Sequence, residues 1–221
     1  MTDLRLVLVR HGVTEWNREG RFQGHRDPDL SEAGRHEAAL AAERLMAHEM
    51  LRPARVIASS LGRALQTASP IARAAGVPAE PDPRLMEIGQ GEWEGRTHAE
   101  LEAEDAERYL AWRRATGIRQ PPGGEPIEAA TVRVRSVVDE LIASDGASPI
   151  CIVSHGGTLR ILAHVILELA DVHSLEVDNA SIGVAALATS GWRLERWNDA
   201  LHLLGREPTH VDEVEGRPLA L

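Results

Sequence analysis

Four short stretches hold the residue types from which a reactive site can be built: "RHGVTEWN" at 10–17, "SSLGRALQTA" at 59–68, "RLMEIGQGEWEG" at 84–95 and "SHGG" at 154–157. The first places a cation, an imidazole and a glycine directly after the apolar run "LVLV". The second and fourth repeat that demand, an Arg or a His with glycine at the point where a strand gives way to a helix. Helix N-termini present unpaired N–H groups and a positive dipole end, which suits an anion. Arg63 falls in the first turn of its helix, so its guanidinium can reach back to the same opening. Three junctions converging in this way point to a phosphate. An imidazole is a competent nucleophile toward phosphorus when its attacking nitrogen carries no proton, and arginines beside it disfavour imidazolium. The same arginines neutralise charge on the transferring oxygens. The alkoxide that departs needs a proton, and Glu87, just ahead of a glycine-broken stretch and expected to be raised in pKa by burial, is the candidate donor.

These residues have to be positioned by regular elements, and the hydrophobic pattern supplies them. Strands are predicted at Arg5–Val9, Arg55–Ser59, Ile150–Ser154, Ser181–Ala188 and Trp192–Trp197, with another short strand ahead of Glu87. Helices are predicted at Ser31–His48, Leu61–Ala75, Ile127–Ala143 and Thr158–Leu169. Ser31 reads as an N-cap, and Gly76 followed by Pro78 as a stop. Strands alternating with helices predict an α/β three-layer sandwich, a mainly parallel sheet with helices on both faces. In such sheets ligands bind beyond the carboxyl ends of the strands, where all the stretches above fall. Residues 1–221 are read as a single domain, with a polar cap inserted at about 89–124 and a polar, proline-dotted tail at about 199–221.

Composition narrows the chemistry. At 221 residues the chain can bury a substantial core, and its formal charge of −10 argues against nucleic acid or an anionic membrane surface as a partner. Every one of the 24 basic side chains is Arg, so P-loop kinases and Schiff-base enzymes, which need lysine, are excluded. The single cysteine, Cys151, lies in the apolar run "PICIVS" and reads as a core residue. No apolar stretch has membrane-spanning length, and the apolar strand that begins almost at once leaves no room for a signal peptide, so a soluble cytoplasmic protein is expected. The sequence leaves the oligomeric state open, a homodimer included. No metal spacing of the H-E-x-x-H kind occurs among the histidines. Ser154 and His155 are strand neighbours that point to opposite faces, so the serine is not an activated nucleophile.

In their order and spacing the four stretches resemble the histidine phosphatase superfamily, the phosphoglycerate mutase-like fold, and the resemblance runs from the first strand to about Asn198. It implies that His11 is the phosphorylated nucleophile and Glu87 the general acid. Arg10, Arg63 and His155 match the family's phosphate clamp, and Asn17 and the backbone of Gly156 its secondary phosphate contacts. The loop "RFQGHRD" matches one that faces the substrate, which makes Gln23, Gly24 and His25 candidates for substrate contact. The resemblance implies no metal and no cofactor. Where the mutase branch follows its acidic residue with Arg and Tyr, this chain has Ile88, Gly89 and Gln90, and Gln23 stands where mutases have Thr. The expectation is therefore a phosphomonoester hydrolase acting on a small phosphorylated metabolite through a phosphohistidine. A cofactor-dependent phosphoglycerate mutase and a catalytically silent phosphate-binding protein are the alternatives.

Overall fold

The computed structural model describes residues 4–114, 120–144, 146–168 and 175–204. His173, His210, Arg119 and residues 205–221 of the expected tail lie outside them.

Three of the parallel strands are short, branched apolar runs buried on both faces, the pattern of a sheet covered by helices on either side. The strands are β1 (Leu4–Arg10), β2 (Arg55–Ser59), β3 (Ala79–Asp82), β4 (Ile150–Ser154), β5 (Ile182–Ala188) and β6 (Gly191–Asp199), arranged β3-β2-β4-β1-β5-β6. β1, β2, β3 and β4 run parallel; β5 is antiparallel to both of its neighbours. Pro81 is tolerated because β3 lies at the sheet edge. The helices are α1 (Glu15–Arg18), α2 (Glu32–Met46), α3 (Gly62–Ala75), α4 (His98–Glu104), α5 (Ala106–Arg114), α6 (Ile127–Ala143) and α7 (Gly156–Leu167).

The two-residue alternation of the strands divides the core between the faces. Leu6, Leu8, Ile57, Ile150 and Ile152 join Val134, Val138, Leu159 and Leu162 of α6 and α7. Val7, Val9, Val56, Ala58, Cys151 and Val153 join Leu45, Ala64, Ala68 and Ile71 of α2 and α3. The predicted three-layer sandwich is therefore the observed one. Cys151 sits wholly inside the second layer, where burial pushes its thiol pKa up to about 12.

The expected caps form: Ser31 accepts the Gly34 N–H through its hydroxyl, and Gly76 closes α3 in the left-handed region at φ 75°. One boundary moves. α7 begins at Gly156, two residues before the expected start, with His155 as its N-cap. Glycine discourages a helix in isolation, but a Cβ at Gly157 would lie 2.8 Å from Glu87 Oε1, so close packing selects glycine there. Gly12 also differs from expectation. Its φ is not in the left-handed range, so no turn demands glycine there; a Cβ would collide with the Gly34 carbonyl of α2.

Within 89–124, α4 and α5 bring Trp93, Leu101, Tyr109 and Trp112 into a small core of their own, with Phe22 from the loop after α1 packed against it. Trp192 and Trp197 pack instead against the main core. The last described residues, Leu201–Leu203, form a 3-10 turn from which His202 reaches the Ala180 carbonyl. No helix among the described residues is long and apolar enough to cross a membrane.

Candidate active site

β1 ends at Arg10, and the turn that follows brings both Arg10 and His11 inward although they are sequence neighbours. His11 N–H continues the parallel ladder for one more bond, to Ser154 O at 2.9 Å. The His11 carbonyl accepts from Asn179 Nδ2 at 3.0 Å, and Gly12 N–H donates to Thr67 Oγ1 at 3.0 Å. The Val13 N–H is taken by the buried carboxylate of Glu37 on α2 at 2.8 Å. This turn is therefore held from α2, α3 and the strand-β5 approach at once. Asn179, Thr67 and Glu37 were not singled out in the sequence, because each is an ordinary polar residue on an element whose partner is remote in the chain.

His11 is 2% exposed. Its Nδ1 lies 2.8 Å from the Gly12 carbonyl, an acceptor only, so Nδ1 carries the proton and Nε2 keeps its lone pair. Burial, then the charges of Arg63 and Arg10, hold its pKa well below the ordinary 6.5; the Gly12 bond opposes them. The His155 ring lies 5.1 Å away, centroid to centroid. Its Nε2 is 2.8 Å from the hydroxyl of Ser59, at the carboxyl end of β2. The Ser59 hydroxyl accepts the Leu61 N–H, and among the described residues the imidazole is the acceptor beside its own buried O–H, so it donates to Nε2. His155 Nδ1 is then the protonated nitrogen, and it is buried with no hydrogen-bond partner. Burial comes first in lowering the His155 pKa, followed by Arg63, His11 and Arg10. Ser154, by contrast, donates to Leu85 O on the other face at 2.8 Å, as strand alternation requires.

Arg63 is 1% exposed and lies on the first turn of α3. Its Nη2 donates to Gly24 O at 2.9 Å and its Nη1 to Arg26 O at 2.8 Å, with Asp27 Oδ1 3.2 Å from Nη1. Its Nε is buried and unpartnered. Asp27 also takes the Gly62 N–H, capping a helix whose own N-cap, Leu61, has no side-chain acceptor. Arg10 donates from Nη1 to Val177 O at 2.6 Å. Asn17 caps its own short helix, its Oδ1 accepting from Thr14 N–H at 3.0 Å, while Asn179 reaches the same oxygen at 3.4 Å. Gln23 is nearly buried, its Oε1 without a partner.

Glu87 is seated on the N-terminus of α7. Its Oε2 accepts from Gly157 N–H at 3.2 Å and its Oε1 from Thr158 N–H at 3.0 Å. The Ile88 N–H adds a third backbone donor, to Oε1 at 2.9 Å. Thr158 also donates its hydroxyl to Met86 O at 2.7 Å, and Arg133 of α6 reaches Glu87 O at 3.3 Å and Arg84 O at 2.7 Å, fixing the segment from behind. Burial holds the Arg63 pKa below its ordinary value, and the Glu87 carboxylate, then Asp27, are the strongest influences opposing that. The structure therefore brings Arg10, His11, Arg63, Glu87 and His155 within electrostatic reach of one another, with Gly156 following His155, Asn17 linked through Asn179 to the His11 turn, and the Gly24 carbonyl on Arg63. His25 is exposed, its Nε2 2.9 Å from Glu87 O. Among the described residues no group of three or more His, Cys, Asp or Glu could hold a metal ion.

Two arginines and two neutral imidazoles gathered at the carboxyl ends of parallel strands have the chemistry that a phosphate calls for. Residues 6–200 match the family model described as "Histidine phosphatase superfamily (branch 1)", and the chain belongs to that family. It is a phosphatase of the histidine type. Over 173 residues it is 38% identical to a glucosyl-3-phosphoglycerate phosphatase of Mycobacterium tuberculosis, covering 75% of this chain and 76% of that one. It is 35% identical over 223 residues to a probable phosphoglycerate mutase of Erwinia tasmaniensis, covering 96% and 99%. A solved structure of a mycobacterial glucosyl-3-phosphoglycerate phosphatase in complex with VO3 superposes with a TM-score of 0.78 at 36% identity, covering 88% of this chain and 98% of that one.

The depressed histidines set a pH dependence. A buried imidazole with a folded pKa below its unfolded 6.5 takes up its proton later than the unfolded chain does. The unfolded state therefore binds more protons as pH falls below about 6.5, and stability is lost on acidification through that range. Full nucleophile is already present at 6.5. Thermal unfolding followed from pH 7.5 to 5 should show Tm falling on the acid side, and His155→Asn should flatten that slope. A slope unchanged in the variant would remove His155 from the account.

Proposed function

We propose that the protein hydrolyses phosphomonoesters of small metabolites by way of a phosphohistidine at His11. The observation that carries this reading is the His11 tautomer: Nδ1–H is committed to the Gly12 carbonyl, leaving Nε2 as the lone-pair nitrogen beside two guanidinium groups. Nε2 attacks phosphorus as the ester P–O bond breaks. Glu87, as the acid, hands its proton to the departing alkoxide. As a carboxylate it then takes a proton from the water that attacks the P–N bond, and inorganic phosphate leaves. Arg10, Arg63, and the unpartnered Nδ1–H of His155 hold the phosphoryl oxygens, with Asn17 and the Gly156 N–H as further donors. No metal or cofactor takes part, so a chelator leaves the rate unchanged.

Transfer to water rather than to a second hydroxyl follows from the segment after Glu87. A mutase has to hold the other charged end of a phosphoglycerate, but Ile88 turns into the core at 3% exposure and Gly89 is buried. Segment 89–124 serves as the cap over the opening, with Gln23 and Gly24 on the substrate side. Similarity to the mycobacterial enzymes places a glycosylated phosphoglycerate first among the substrates to test. A core-sealed thiol, with no second cysteine to pair with, accords with a cytoplasmic setting. Phosphorus NMR of the enzyme with glucosyl-3-phosphoglycerate, phosphoserine, sugar phosphates and 3-phosphoglycerate with a trace of its bisphosphate tests this directly. Growth of inorganic phosphate without 2-phosphoglycerate is the expected result. Appearance of 2-phosphoglycerate with little free phosphate would replace hydrolysis by isomerisation.

A further inference from the structure

Glu94 and Glu92 flank Trp93 at the start of the inserted segment, and by sequence either is a default surface carboxylate. Glu92 behaves as one, pairing with Arg108 at 2.8 Å on an exposed face. Glu94 does not. Its side chain is 16% exposed, and one oxygen, Oε1, accepts two backbone N–H groups: His25 at 2.9 Å and Gln90 at 3.1 Å. His25 belongs to the loop after α1; Gln90 belongs to the turn that follows Glu87. A single carboxylate thus ties the loop to the stretch carrying the acid.

That loop is also what orients Arg63. The guanidinium donates to the carbonyls of Gly24 and Arg26, the residues on either side of His25. Both ends of the loop are anchored independently of Glu94. Phe22 is pinned by backbone bonds to Gly95 (2.8 Å) and Arg96 (3.0 Å) and by edge contacts with Trp93 and Trp112, and Asp27 caps α3. The middle, where the two carbonyls sit, is held by the Glu94 oxygen through two backbone N–H groups, with the His25 ring on Glu87 O and the Arg26 N–H on Gln23 O as further contacts. Gly24 is fitted to that oxygen: it takes φ +51°, and a Cβ there would run into Oε1. Arg26 Nε approaches the other oxygen at 4.0 Å.

We propose that Glu94 is a positioning residue for phosphate binding, acting through the Gly24 and Arg26 carbonyls on the Arg63 guanidinium. This rests on the reading of Arg63 as part of the phosphate clamp. A guanidinium presents its donors in a rigid plane, so carbonyls that fix two of its nitrogens also fix the direction of the third, the unpartnered Nε. Without Glu94 the His25 and Gln90 N–H groups lose their acceptor, the carbonyls between the anchors shift, and the Nε–H turns away from the phosphoryl oxygens.

The test is calorimetric binding of inorganic phosphate to wild type, Glu94→Ala, Arg63→Ala and the double variant, with folding checked by Tm. Glu94→Ala should weaken phosphate binding by about tenfold and raise KM by more than it lowers kcat, a positional effect of the size that small misplacements produce. In the Arg63→Ala background the same change should cost less than about twofold, because coupled residues are non-additive. Glu94→Gln keeps an oxygen for both N–H groups and should recover most of the affinity. Equal losses from Glu94→Ala in both backgrounds would overturn the route through Arg63. Wild-type affinity in folded Glu94→Ala would overturn the positioning role altogether. Arg63→Ala binding phosphate as wild type does would instead sink the clamp itself. Should Glu94→Ala fail to fold, Glu94→Asp, which withdraws the carboxylate by one methylene, carries the same comparison.

Discussion

His11→Ala should lower turnover by roughly four orders of magnitude or more, the scale on which loss of a covalent nucleophile acts. The size of the effect follows from the surroundings of the ring. His155 is the other imidazole at the opening, but its Nε2 faces the Ser59 hydroxyl and its remaining nitrogen bears the proton, so it has no lone pair to offer phosphorus. Ser154 is turned to the other face, bonded to Leu85 O. Among the described residues no second nucleophile stands ready, and water alone would have to attack a phosphate held by the arginines. Phosphate binding should meanwhile survive, because Arg10, Arg63 and His155 remain. Single-turnover kinetics with calorimetric phosphate binding separate the two. Folded His11→Ala that retains a few per cent of the wild-type rate would rule out the phosphohistidine route. In the wild type, acid-labile and base-stable label from a phosphorus-32 ester should be found on the protein.

Arg63→Ala should follow, with kcat/KM down by about 10²- to 10³-fold, or roughly 2–4 kcal/mol, as when one preorganised donor to a developing oxyanion is lost. A second cost arises in the fold. With Arg63 gone the Gly24 and Arg26 carbonyls lose their donors, each worth about 1–3 kcal/mol if it stays buried and unsatisfied. Tm should therefore fall along with activity. Arg63→Lys distinguishes the two contributions. A single ammonium can restore the positive charge but cannot bond two carbonyls and still present a planar N–H to the phosphate. Lysine should thus recover stability more than rate. Near-wild-type kcat/KM in either variant would remove Arg63 from the clamp.

Much of this protein was legible in the chain because its information was local. The strands β1, β2 and β4 are short branched runs, α2 opens on Ser31 and α3 closes on Gly76; each signal lies within a few residues of the element it specifies. The partition of Leu6 and Leu8 from Val7 and Val9 follows from strand geometry alone. The gathering of Arg10, His11, Arg63, Glu87 and His155, the residues of the proposed site, was readable for a related reason. Each stands at the carboxyl end of a strand or within a few residues beyond it, and a parallel sheet gathers such ends on one side.

Only the tertiary structure decided the rest. Which nitrogen of His11 carries the proton depends on the Gly12 carbonyl, and that of His155 on Ser59, 96 positions away in the chain. Gly12 and Gly157 are glycines because α2 and Glu87 press against them, a demand that no turn propensity contains. Asn179, Glu37 and Glu94 look like ordinary surface residues in sequence, and they become supports of the site once distant backbone N–H and carbonyl groups arrive beside them. The chain by itself determined the elements, their layer order and the candidate residues near the strand ends, since periodicity and capping act over a few residues. The tautomers, the orientation of the guanidinium groups and the supports behind them were left to packing. A buried polar group must find a partner, and that partner is chosen by proximity in space, not by position in the sequence.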